Sequence, residues 1–145
     1  MSDRFIAAPD HPGWQEWCIG TPEQFNRAVL GRMLVRFEDD KVRVRLLEPA
    51  ERHSNLNGVF HGGVLMAFID TAMFAGANLL AGKPDQRGVT VDMHTQFLAP
   101  GSLEKPLDAL VELTRETGKM FFTRGLLVQE DVTVCSFNGL VRKIS

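Results

Sequence analysis

The chain has 145 residues, 44% hydrophobic and 23% charged, with a formal net charge of −2. Those values describe one ordinary globular domain, long enough to bury a core without disulfide or metal staples. The near-neutral balance with scattered basic residues excludes a nucleic-acid footprint. Cys18 and Cys135 stand alone, without CxxC or Cys/His spacing, which points to reduced thiols in a cytoplasm rather than to a disulfide or a metal site.

Residues 1–20 contain no apolar run of the kind a secretory signal needs and show no clear period. Trp14 and Trp17 are expected to pack this arm onto the domain. Thr21-Pro22-Glu23-Gln24 reads as a helix start, with Thr as N-cap, Pro at the first helical position and Gln completing a capping box. Gly31 then closes a helix of roughly ten residues. Residues 1–31 are thus expected to be an N-terminal arm and short helix packed on a main domain of residues 32–145.

That domain opens with a hairpin. Met33, Val35 and Phe37 alternate against Arg32, Arg36 and Glu38 over 32–38, Asp39-Asp40 turns the chain, and Val42, Val44 and Leu46 continue over 41–47. Alternation of this kind buries one face. Arg32, Arg36, Arg43 and Arg45 occupy the other, where a solvated surface is the default and phosphate recognition the alternative.

After a polar loop comes an apolar helix over about 62–81, ended by Gly82 and Pro84. Asp70 is the only ionisable residue in 62–82. Desolvation penalises a carboxylate there, so it requires a partner, a raised pKa or a chemical role. The helix begins at His61-Gly62-Gly63, whose backbone N–H groups lie at a helix start and can hold an oxyanion. Together the two features point to oxyanion stabilisation and attack on a carbonyl. The segment is long enough to span a membrane, but Asp70, Asn78 and the glycines mark it as a core helix.

The remainder reads as strands over 88–99, 107–116, 120–130 and 132–143. On the first, strict alternation sets Thr90, Asp92, His94 and Gln96 against Val89, Val91 and Met93. The predicted class is α+β, one curved antiparallel sheet wrapped around one helix. A single sheet covers only part of such a helix, so a second copy of the chain is expected to cover the rest.

Asn55, Gly58, His61-Gly62-Gly63 and Asp70, at this spacing, resemble the signature of the hotdog-fold acyl-CoA thioesterase superfamily, closest to the phenylacetic-acid-degradation type. The strand from Gly88 to Met93, ending at Phe97-Leu98-Ala99-Pro100, is similar to the one that follows the helix in that family. The resemblance implies a hotdog fold, hydrolysis of a medium-chain or aryl acyl-CoA, and a homodimer with shared active sites assembled into a tetramer; with no metal-ligand cluster and no Gly-rich nucleotide loop in the sequence, no cofactor is expected. The resemblance also implies catalytic roles for Asp70, Gly62, Asn55, His61 and Thr90; Gly63 beside Gly62, and Lys119 in the turn at Gly118, are the candidate substrate contacts. One oxyanion donor such as the Gly62 N–H is worth about 3–4 kcal/mol of barrier. Asp70 is either the base for water or the nucleophile. Asn55 would hold the thioester or the water, Thr90 would orient water near Asp70, and His61 would line the site. Lys119 and the four arginines are candidates for the coenzyme A phosphates.

Geometry adds a constraint. Eight residues of helix separate Gly62 from Asp70 by about 12 Å of rise. One carbonyl carbon cannot sit within about 3 Å of both, so the site is expected to pair Gly62 of one chain with Asp70 of another. A non-catalytic acyl-CoA binder or sensor on the same fold is the alternative reading.

Overall fold

The computed structural model describes residues 3–145. Eight antiparallel strands form one sheet around one long helix. In chain order they are β1 (Phe5–Ala7), β2 (Gln15–Trp17), β3 (Met33–Glu38), β4 (Lys41–Leu46), helix α1 (Gly62–Leu80), β5 (Arg87–Phe97), β6 (Leu107–Glu116), β7 (Met120–Gln129) and β8 (Val132–Ile144). The spatial order is β1-β2-β3-β4-β6-β7-β8-β5. The chain therefore leaves the sheet after β4, runs through α1, and re-enters at the far edge as β5. This is the hotdog architecture expected from the resemblance.

Alternation builds the sheet. Val42, Val44 and Leu46 on β4 are fully buried, while Lys41, Arg43 and Arg45 between them are only partly covered. Phe68, Ile69, Ala72 and Ala75 of α1 are likewise fully buried and belong to the same cluster as Val111 of β6. Each large apolar side chain so buried contributes about 1.5–3 kcal/mol. Contact is close at Gly76, where a Cβ would lie 2.5 Å from Val111 Cβ. Only a glycine lets the helix settle this deeply onto the sheet.

The N-terminal segment is part of this sheet, pairing Phe5 with Trp17 and Glu16 with Leu34. Trp17 stacks on Phe5 at 6.0 Å. Trp14 and Ala8 cover Leu34 on the opposite face, so β3 is buried on both faces over Met33–Val35. Phe37, expected in the core, is 57% exposed. It faces Val42 across the hairpin, but β2 pairs only with Leu34 and Val35 and leaves this corner uncovered.

The expected ten-residue helix after Thr21 is a single wide turn of five residues, Asn26–Leu30, with π-type geometry. Half of the capping box is present, since the Thr21 N–H donates to Gln24 Oε1 at 2.8 Å. Gly31, at φ 79°, ends the turn as anticipated. The wide turn brings Asn26 to Thr71 of α1, whose hydroxyl donates to the Asn26 Oδ1 at 3.1 Å.

Candidate active site

Two cavities open beside α1, and they share no lining residue. The first is a groove at the helix start. His61 is the N-cap, and its Nδ1 accepts the Gly63 N–H at 2.8 Å. That bond uses the lone pair of Nδ1 and places the ring proton on Nε2. The Val64 and Leu65 N–H groups both reach the His61 carbonyl, at 2.9 and 3.1 Å. Among the described residues, the Gly62 N–H has no protein acceptor. It is the one unspent donor of the first turn, at the positive end of the helix dipole.

Asn55, Val59, Phe60 and Leu65 line this groove with Gly62, and Phe97–Gly101 supply the far wall, around about 350 Å³. The Asn55 Oδ1 accepts the Asn57 and Val59 N–H groups at 2.8 and 3.3 Å. The oxygen therefore holds its own loop, and only the amide donors remain for a ligand. Phe97 ring carbons lie 3.6–3.7 Å from where a Gly62 Cβ would stand, so the aromatic ring borders Gly62.

The second cavity, about 320 Å³, lies further along the helix at Asp70. Asp70 is half-buried and accepts a short hydrogen bond on Oδ1 from the Thr90 hydroxyl. A β-bulge makes this contact possible. The β5–β8 register shifts between Thr90 and Asp92: Thr90 faces Val141, Asp92 faces Leu140, and Val91 is the extra residue. Bulges re-aim side chains in this way. The strict alternation expected from the sequence therefore fails at Val91. Thr90 shares the helix-facing side with Met93, whereas Asp92, His94 and Gln96 lie on the opposite face. The Thr90 hydroxyl is committed to Asp70 Oδ1 and does not occupy Oδ2.

Trp17, Ile19 and Asn26 wall the Asp70 cavity from the N-terminal side, while Phe74 and Asn78 continue its floor along α1. The sequence reading missed these. Asn78 carried a usable signal, since it stands on the same helix face as Asp70, eight residues on. Lys119 lines neither cavity and sits exposed in the β6–β7 turn.

The four arginines of the hairpin are spent within the chain. Arg32 donates to both Asp10 oxygens at 2.7 Å and also pairs with Glu16. Arg43 and Arg45 converge on the buried Asp108 at 2.8 Å. The Arg36 and Arg45 guanidiniums lie over the Trp14 ring at 4.3 and 4.7 Å.

Residues 57–136 match the family profile described as Thioesterase superfamily. Solved structures of similar fold include a point-mutant form of the phenylacetic acid degradation protein PaaI from Thermus thermophilus. It is 24% identical over 83% of this chain and 98% of that one, with a TM-score of 0.66. The E. coli PaaI protein of the phenylacetic acid degradation operon is 22% identical over 85% and 86%, with a TM-score of 0.68. A hypothetical thioesterase from Streptococcus pneumoniae, crystallised with coenzyme A, is 18% identical over 81% and 90%, also at 0.68. At these identities the likeness establishes the fold. A search of curated protein sequences finds no match.

Proposed function

Because the chain belongs to the thioesterase superfamily, and so to a family of thioester hydrolases, we propose that it cleaves a medium-chain or aryl acyl-CoA to the free acid and coenzyme A. The observation that carries this reading is the unspent Gly62 N–H on the same helix as a carboxylate fixed by Thr90. The coenzyme A bound to the Streptococcus pneumoniae thioesterase supports that thiol carrier. Cytoplasmic residence fits the two unpaired thiols.

The reaction needs a carbonyl polarised at its oxygen and attacked at its carbon. The Gly62 N–H receives the developing oxyanion, and the Asn55 amide donors hold the thioester carbonyl or the water. Asp70 of the partner subunit either deprotonates water for attack or attacks directly to form a mixed anhydride that water then opens. In both routes the C–S bond breaks and the thiolate leaves with a proton that originates in water. Gly62 and Asp70 are separated by about 12 Å of helix rise, and no residue lines both cavities. Both observations support a site whose halves come from different chains.

The surface that would bring them together is β5. It is an edge strand, and none of its eleven residues is buried. Val89, Val91 and Phe97 are 48–53% exposed. A long apolar edge is a template for pairing with another strand, and a second copy laid along it forms the homodimer. Two such dimers make the tetramer.

Free-thiol release from short, medium, long and aryl acyl-CoA thioesters tests the reading, with wild type beside Asp70→Asn and Gly62→Pro. Proline is tolerated at the first helical position and lacks only the N–H, and a Cβ there meets Phe97 at ordinary contact distance. Wild type should release thiol, and Gly62→Pro should lose about 10²–10³ in kcat. Asp70→Asn should lose at least as much. Undiminished release by either variant overturns its assigned role.

A further inference from the structure

The cavity at Asp70 has an outer wall that the family match does not include. The match begins at residue 57, whereas Trp17, Ile19 and Asn26 come from β2 and the segment behind it. Trp17 is held rigidly: it is buried, pairs with Phe5 across β1–β2 and stacks on the Phe5 ring. The floor is one face of α1, where Asp70, Phe74 and Asn78 follow at intervals of four. A second fixed contact stands at the Asn78 end of this floor. Asn78 is 4% exposed, and its Nδ2 donates to the Gln86 carbonyl at 2.8 Å.

We propose that Trp17 and Ile19 are specificity-determining residues that turn this cavity into an acyl pocket of limited depth. The inference rests on the thioesterase reading and adds the part of the chain that sets the acyl group. A carbonyl attacked at Asp70 leaves its acyl chain to run along α1 past Phe74 toward Asn78. That floor is about 12 Å long, enough for roughly eight extended carbons or one aromatic ring with its substituent. Trp17, Ile19 and Phe74 supply the apolar part of a lining that also carries Arg4, Asn26 and Arg87. A longer chain meets the Asn78–Gln86 contact and must force the Trp17 wall outward, against its stacking on Phe5 and its place in the sheet.

Two substitutions should move the preference in opposite directions, which general destabilisation does not do. Trp17→Leu removes ring area from the wall and is expected to raise the ratio of kcat/KM for dodecanoyl-CoA over octanoyl-CoA by about tenfold. Ile19→Trp fills the cavity from a partly buried position and should lower the ratio for octanoyl-CoA over butyryl-CoA by a similar factor, the scale of discrimination that apolar pockets achieve. Ratios unchanged within about twofold, or shifted in the same direction, overturn the assignment. Binding of nonhydrolysable alkyl-CoA thioethers of the same lengths, read by calorimetry, separates this inference from its premise. No thiol release from any thioester would defeat the thioesterase reading. The length ranking in binding would still decide the role of Trp17 and Ile19.

Discussion

β4 and β5 are both strands of alternating sequence, yet they end in opposite conditions. On β4 every second residue is fully buried, and the arginines between them find partners within the chain: Arg43 binds Glu38 and Asp108, and Arg45 binds Asp108 and covers Trp14. On β5 nothing is buried, and Val89 and Val91 face solvent. Each carries polar and apolar groups, but only β4 satisfies both kinds within one chain. Charge that is paired internally is structure; apolar edge left uncovered is where the proposed second copy would dock. The arginines, for which phosphate recognition is the alternative to a solvated surface, fall into the first class, and Thr90, a candidate from the resemblance, stands on β5 bonded to Asp70.

The largest expected effect tests β5 as a seam between two half-sites. Equal amounts of Gly62→Pro and Asp70→Asn chains, each inactive alone, are mixed after dissociation and reassociation. Half the dimers are mixed, and each holds one site with an intact Gly62 and an intact Asp70, so thiol release should recover to about one quarter of wild type under two-fold symmetry. A mixture that stays inactive places both groups in one chain and removes the functional meaning of the β5 edge.

On the β4 side the corresponding test reads stability. Asp108 is buried, at 5% exposure, between two guanidiniums. Removing one member of such a cluster leaves charge without compensation, which costs about 3–5 kcal/mol. Asp108→Asn should lower the urea midpoint accordingly, with the kcat of the folded fraction within about twofold of wild type. A large fall in kcat at unchanged stability would show that the cluster belongs to the site after all. Thr90→Val has the converse signature. It deletes the donor to Asp70 while preserving shape, so kcat should fall about tenfold, the worth of one well-made hydrogen bond, with KM and stability nearly constant.

Much of this division was legible in the sequence, and the parts that were not share a cause. The helix expected over 62–81 is observed as Gly62–Leu80, because a 19-residue apolar run capped by His61 leaves no other option. The hairpin and the last three strands follow from alternation and turn residues alone. The five-residue π turn, the exposure of Phe37 and the incorporation of residues 5–17 into the sheet depend on which strand lies beside which, and no local period encodes that. The Thr90 bulge was hidden for a similar reason. One extra residue, Val91, reverses the parity of a strand, and only the partner strand β8 reveals it. Asn55, Gly62 and Asp70 are candidates from the motif and the resemblance that it carries, whereas Trp17 and Ile19 reach the Asp70 cavity only through tertiary structure.

The smallest expected effect is a pH dependence confined to the β4 side. Hydrogen bonds from Arg43, assisted by Arg36, hold the Glu38 carboxyl down from its ordinary 4.5 to about 2. A carboxyl whose folded pKa lies below its unfolded one contributes stability above the unfolded value and loses it as pH falls through the folded one. Glu38 should therefore stabilise the hairpin at pH 6 and cease to do so between about pH 4.5 and 2. Its side chain is 35% exposed, so solvent screening leaves only about 0.5 kcal/mol of the effect. Urea titrations of wild type and Glu38→Gln should differ by that amount at pH 6 and converge near pH 2. A difference that persists undiminished to pH 2 would mean that glutamine disturbs packing rather than charge. The ion pairs of β4 would then be incidental to its stability, and the contrast with β5 would rest on burial alone.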